Sequence, residues 1–198
     1  MDVPEELFLR AEAVRFEVED VEERRLPRGA VRLLDHRPAA DRLTVMHAPV
    51  PGGASGALAF GGAVRELLLA FVRAEAARTL PRMLADLAVE IGAPVPPRVR
   101  IAEQRTRWAS RSTSGTVSCN LELMFLPRDL VRHVLLHELS HIAHMNHGPQ
   151  FHALLARLDP LSRVHEASLR TAARNYVPAW TRPLRPPEAA APLSGTTV

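Results

Sequence analysis

A chain of 198 residues suits one domain with tails and can bury a core without disulfides. Its single cysteine, Cys119, excludes a disulfide framework and any cysteine-rich metal site, and fits a reducing compartment. The formal charge of +3 is small for this length and announces no nucleic-acid partner; all 25 basic residues are arginine, which reflects an Ala-, Arg- and Pro-rich coding bias more than phosphate binding. No run of about 18 apolar residues is expected to span a bilayer, and the acidic start is unlike a signal peptide, so the expectation is a cytoplasmic protein with no membrane partner.

Residues 1–13 carry few apolar anchors and are expected to fray. Val14, Phe16 and Val18 then alternate with charged residues as in a half-buried strand. The runs 30–34 and 43–46, separated by turn residues around Pro38, read as a hairpin. His36 and His47 stand alone there and read as solvent-facing or structurally hydrogen-bonded. Residues 49–62 are rich in Pro, Gly and Ala, a loop or linker signal.

Val64, Leu67, Leu68, Phe71 and Val72 recur at helical spacing, and the stripe resumes with Leu80, Leu84, Leu87, Ala88 and Ile91 before Gly92. Pro81 predicts two helices or one bent one. Val99, Ile101 and Glu103 alternate as a strand, and Ser114-Gly115 between two extended runs reads as a hairpin or long loop feeding a strand over 116–123. Trp108, on its own, reads as a large core residue.

Pro127, Asp129 and the stripe Leu130, Val131, Val134, Leu135, Leu139 define a helix that should end soon after Met145, where Asn146 and Gly148-Pro149 oppose continuation. Phe151, Leu154, Leu155 and Leu158 make another helix, stopped by Asp159-Pro160, and Val164, Ala167, Leu169 and Ala172 make the last one before Tyr176. The Pro- and Ala-rich tail, 181–198, is expected to be disordered.

The helix beginning at Pro127 carries His137-Glu138-Leu139-Ser140-His141, an H-E-x-x-H pattern. Histidines four apart lie one turn above each other on one face, so both imidazoles reach a single ion while the glutamate between them faces a water. With no cysteine set available, the ion is Zn2+ on His137, His141 and a third ligand from beyond the helix. His147 lies where the chain must reverse; His144 competes for the role. His133 and His144 share the stripe, but a helical turn rises about 5.4 Å and zinc to nitrogen is about 2.0 Å. His152 reads as solvent-facing or as an outer neighbour of the site. Glu138 is placed as general base, and negative charge on a scissile carbonyl would need a donor such as Arg107 or Tyr176.

Arg107-Trp108, Gly115, Asn120, Pro127, the His137–His141 pattern and Met145-Asn146-His147-Gly148-Pro149-Gln150-Phe151 together resemble the YgjP-like metallopeptidase family of zincins, more distantly related to SprT and WLM proteases. The resemblance covers 98–180 well and implies a domain over 14–180. The fold it implies is α+β and zincin-like: a small mixed or antiparallel sheet packed on the helix carrying H-E-x-x-H, with further helices and an N-terminal β-hairpin region. It implies zinc ligation by His137, His141 and His147, catalysis by Glu138, a peptide or protein substrate, a site-flanking role for Trp108, and substrate alignment along the strand after Gly115. Ala109 and Arg111 stand where the family loop has Gly and Cys, and Cys119 does not replace that cysteine by spacing.

The expected activity is zinc-dependent peptide hydrolysis. Two other readings remain: a zinc-stabilised binding module acting on DNA-associated proteins, and a hydrolase of a non-peptide ester or phosphoester. No motif specifies the substrate or the oligomeric state.

Overall fold

The computed structural model describes residues 3–35, 41–104 and 106–182. Four strands form the first sheet: β1 (Glu6–Leu9), β2 (Val14–Glu22), β3 (Val31–Asp35) and β4 (Arg42–His47), in the order β1-β2-β4-β3. β2 and β4 run parallel, and the outer pairs are antiparallel. The 30–34 and 43–46 runs pair as a hairpin, with Leu33 opposite Val45; its turn, including His36 and Pro38, lies outside the described residues.

Residues 3–13 depart from the expected frayed end; residues 1 and 2 lie outside the described residues. Leu7 and Leu9 lie two apart on one strand face, and both are fully buried. Pairing of β1 with β2 supplies the ladder, Arg15 and Glu6 bridge across it at 2.9 Å, and the Ala11 N–H donates to the Met124 carbonyl at 3.2 Å. Two leucines in an edge strand anchor a segment whose composition alone reads as loose.

The segment 49–62 is likewise more ordered than a linker. A single helix, α1 (Ala54–Glu90), begins inside it and runs 37 residues through Pro81. Gly56 permits that start, because a Cβ there would lie 2.0 Å from the Pro51 carbonyl oxygen. Pro81 removes one backbone bond, at a cost of about 3 kcal/mol. Leu80 and Leu84 on either side are fully buried, each contributing about 1.5–3 kcal/mol. That burial outweighs the lost bond and keeps the helix continuous. Val64, Leu68, Val72 and Ala76 extend the same buried stripe, and Phe71 meets Phe16 edge-on at 5.4 Å. By length and composition α1 could cross a membrane, so the expectation that no stretch is apolar enough was too strong; here the stripe is the core of the domain.

After α1 comes a three-stranded sheet of β5 (Arg98–Ala102), β6 (Ala109–Arg111) and β7 (Thr116–Asn120), ordered β5-β7-β6. The strand expected over 116–123 stops at Asn120 and gives way to a 3-10 turn, Leu121–Phe125, because the Asn120 side chain accepts from the Glu122 N–H. β7 is the central strand, parallel to β5 and antiparallel to β6. The strand after Gly115 therefore cannot align a substrate along a free edge; the edge strands of this sheet are β5 and, on the side of the cleft, β6.

Three helices complete the described residues: α2 (Arg128–Ser140), α3 (Pro149–Leu158) and α4 (Ser162–Tyr176), followed by a 3-10 turn at Ala179–Thr181. α2 packs against α1, β6, α3 and α4, so it is covered on most sides. Residues 181 and 182 of the expected tail are described, with Thr181 buried; 183–198 lie outside the described residues.

Gly115, at φ +86°, closes the turn between β6 and β7 and sits 3.3 Å from Pro97 where a Cβ would project. Gly115→Ala is expected to cost about 1–2 kcal/mol, read as a lowered urea midpoint. A midpoint unchanged from wild type would show that the left-handed turn is not required.

Candidate metal centre

α2 ends a turn earlier than its sequence stripe suggests. Its last residue is Ser140, and His141 is the C-cap in right-handed helical conformation. The Ile142, Ala143 and His144 N–H groups fold back on the Leu139 and Ser140 carbonyls at 2.9–3.2 Å, closing a tight turn. The chain then reverses into α3, with Pro149 in its first turn.

This early stop brings His147 back over the helix. Its Nε2 lies 3.0 Å from Nε2 of His137, and the rings of His137, His141 and His147 are 4.7–5.0 Å apart in all pairs. One nitrogen from each lies within 4.8 Å of the others. His141 Nδ1–H donates to the His144 carbonyl at 3.1 Å, which leaves the lone pair on its Nε2. His144 thus contributes a main-chain oxygen, and its imidazole is not part of the triad.

Beneath the three imidazoles lies Phe151, fully buried, its ring 4.7–4.8 Å from each of theirs. Phe151 reads in sequence as an apolar position of α3 and as part of the family resemblance after His147, but neither gives a sign that one ring supports three histidines. His152, the next residue, is exposed, with its ring 6.4 Å from His147.

Burial, followed by the neighbouring imidazoles, pushes His137 down to about 4; burial also lowers His141. Both are neutral at pH 7, as ligation requires. Glu138 is 5% exposed, and its Oε2 has no hydrogen-bond partner among the described residues. Desolvation raises its pKa to about 7, against the opposing charges of Arg111 and Arg107. Three imidazole nitrogens converging beside a carboxylate oxygen with no partner among the described residues suit a divalent cation and a water.

The group opens on a cleft of about 640 Å³. Its β6 wall carries Arg107, Trp108 and Arg111; Val134 and Leu169 line it elsewhere. Asn120, 3% exposed, fixes this wall by donating through Nδ2 to the Gln104 and Arg107 carbonyls at 2.8 and 3.0 Å. Arg111, in the place of the family's cysteine, reaches toward the His141 carbonyl and Met145 Sδ at 3.4 Å each, and its Nε is buried without a partner. Tyr176 is not brought to the cleft: it ends α4 with its ring 5.6 Å from the Arg10 guanidinium. Cys119 is buried in the core, where desolvation and then the Glu138 charge push its thiol up to about 12. His47 is held structurally, by the Ala48 carbonyl at 2.7 Å and Asp20 at 3.2 Å.

Three imidazoles and a desolvated carboxylate at the floor of an open cleft have the make-up of a metal-dependent hydrolase. The family is narrower. The model of the YgjP-like metallopeptidase domain matches residues 61–172, more than half of the chain, and the chain belongs to that family. No curated protein sequence matches it. Solved structures similar to part of it include the metallopeptidase zymogen abylysin of Pyrococcus abyssi, at 22% identity and TM-score 0.42 over 48% of this chain and 93% of that one. Another is the zymogen jannalysin of Methanocaldococcus jannaschii, at 20% identity and TM-score 0.42 over 48% and 96%.

Between pH 4.5 and about 7 native Glu138 holds a proton that the unfolded chain has released, so its contribution to stability falls as pH rises through that window. Metal-free Glu138→Gln is therefore expected to exceed metal-free wild type in stability at pH 8 by on the order of 1–3 kcal/mol, the gap closing toward pH 4.5. The shift of His137 is common to both proteins and cancels. A pH-independent gap in urea titrations would contradict the desolvated carboxylate.

Proposed function

We propose that the protein is a zinc-dependent metallopeptidase whose metal is held by His137, His141 and His147 and whose general base is Glu138. The observation that carries this reading is the convergence of three imidazoles beside the Glu138 Oε2, which has no partner among the described residues. An all-nitrogen set suits zinc and leaves one position open, whereas magnesium and calcium take oxygen ligands. When bound, zinc supplies Lewis acidity that polarises a carbonyl and acidifies water.

The residues do the rest. Glu138 accepts the proton of the attacking water at Oε2 and passes it to the departing amine, for which a pKa near neutrality suits both directions. Arg107 and Arg111 line the cleft and face the negative charge that grows on the carbonyl oxygen. The free edge of β6 offers main-chain groups to an extended peptide, and Trp108 walls the cleft beside it. Phe151 packs its ring against all three imidazoles. The single, buried, unreactive cysteine supports a cytoplasmic setting.

Purified protein should bind one zinc per chain, with His137→Ala or His147→Ala weakening binding at least about tenfold. Glu138→Gln should keep the zinc and lose about 10²–10⁴-fold in peptide turnover. Substantial turnover by Glu138→Gln would remove Glu138 from the mechanism, and a protein that takes up no zinc would overturn the reading.

A further inference from the structure

The cleft has a second end that the hydrolytic machinery does not use. One turn before His137 on α2 lies His133, which lines the cleft although only 2% of it is exposed. Its Nδ1 donates to Asp159 Oδ2 at 2.6 Å, and His165 Nδ1 donates to the same oxygen at 2.8 Å. Asp159 is pinned in turn, its Oδ1 accepting from the Leu161 N–H at 3.2 Å. Burial opposes its charge, but hydrogen bonds from His165 and His133 outweigh that and hold its carboxyl below the ordinary value.

His133, Asp159 and His165 have the composition of a metal site, and their ligand atoms lie within 4.8 Å of one another. The hydrogen bonds decide otherwise. Asp159 Oδ2 accepts from both imidazoles, at 2.6 and 2.8 Å, and Asp159 Oδ1 accepts from a main-chain N–H, so the carboxylate is engaged in hydrogen bonds on both oxygens. The network instead fixes a tautomer. With hydrogen on Nδ1, Nε2 of His133 is left without a partner among the described residues, and in the neutral ring it is an acceptor.

A carboxylate stands on the facing wall. Glu166 of α4 also lines the cleft, with no ion pair or hydrogen bond among the described residues. Val134 and Leu169 supply apolar walls. Asp129 adds negative charge behind, 3.7 Å from His165 Nε2. The cations of the cleft, Arg107 and Arg111, belong to the β6 side, and β6 and α4 each pack on α2.

We propose that the α2–α4 end of the cleft is a subsite for a lysine or arginine side chain of the peptide substrate, its aliphatic stem along Val134 and Leu169 and its charged head on Glu166 and on Nε2 of the Asp159-held His133. Two acceptors without donors of their own, at the end of an apolar slot, match a long side chain that carries only donors. The subsite lies one helical turn from His137, so it takes a residue flanking the scissile bond. His133, Asp159 and His165 act as a positioning set, and Glu166 sets the charge preference.

This inference rests on the peptidase reading, and its test separates the two. Fluorescein-labelled hexapeptides carrying Arg, norleucine or Glu at each position in turn would be titrated against zinc-loaded Glu138→Gln protein by anisotropy, and cleavage of the same set by wild type followed by mass spectrometry. At one position Arg is expected to bind about tenfold or more tighter than norleucine, and cleavage to favour the same peptides. Glu166→Gln should shrink that ratio and Glu166→Arg invert it toward Glu; the half-exposed position tolerates both without unfolding. His133→Phe, checked for folding by circular dichroism, should shrink it as well. Cleavage with no charge preference, or a preference indifferent to Glu166→Arg, would overturn the subsite and leave the peptidase standing. Selective binding without cleavage of any peptide would uphold the subsite and overturn the peptidase.

Discussion

Everything at the site depends on where α2 stops. Had the helix run on to Met145, as the sequence suggests, His147 would have been carried away along the axis, and two histidines would have remained on an open face. Ending at Ser140 allows the reversal that sets Nε2 of His147 at 3.0 Å from that of His137. Two imidazole nitrogens this close need a proton or a cation between them. The fold holds them there through contacts outside the triad: the His141 hydrogen bond to the His144 carbonyl, the Phe151 ring beneath, and Pro149 starting α3.

The scaffold that tolerates this arrangement is α1. Its buried stripe, continuous across Pro81, joins the first sheet to α2, so that the metal-centre helix is held by a core it does not itself build. The desolvation of Glu138 follows from the same packing. A carboxylate with one orphaned oxygen is costly, and the fold retains it because Leu135, Leu136 and Leu139 around it are fully or almost fully buried. Stability and chemical readiness are opposed at that residue.

The cleft is electrically uneven. Arg107 and Arg111 stand on the β6 wall, while Glu166 and the Asp159 network belong to the α4 side. A substrate lying along α2 would meet cations at one wall and acceptors at the other, so its direction and its side chains are both subject to charge. The substitution of Arg111 for the family's cysteine adds to this unevenness and brings a permanent cation near Glu138.

Much of the site was legible in the sequence, because helical periodicity and ligand chemistry are local. His137, Glu138 and His141 follow from a five-residue pattern, and His147 from the stop signals around Gly148-Pro149; the structure brings these four together. The hairpin of β3 and β4, the strand at 98–102 and the three short helices also follow from period and punctuation. What sequence could not decide depended on partners distant along the chain. β1 exists because Leu7 and Leu9 find a core, and α1 is one helix because burial beside Pro81 outweighs a missing hydrogen bond. β7 is central because β5 and β6 flank it, and Tyr176 lies away from the cleft because α4 turns it toward Arg10. Phe151 and the His133–Asp159–His165 network gain their roles only where α2, α3 and α4 meet, since no spacing along one segment encodes a contact among three.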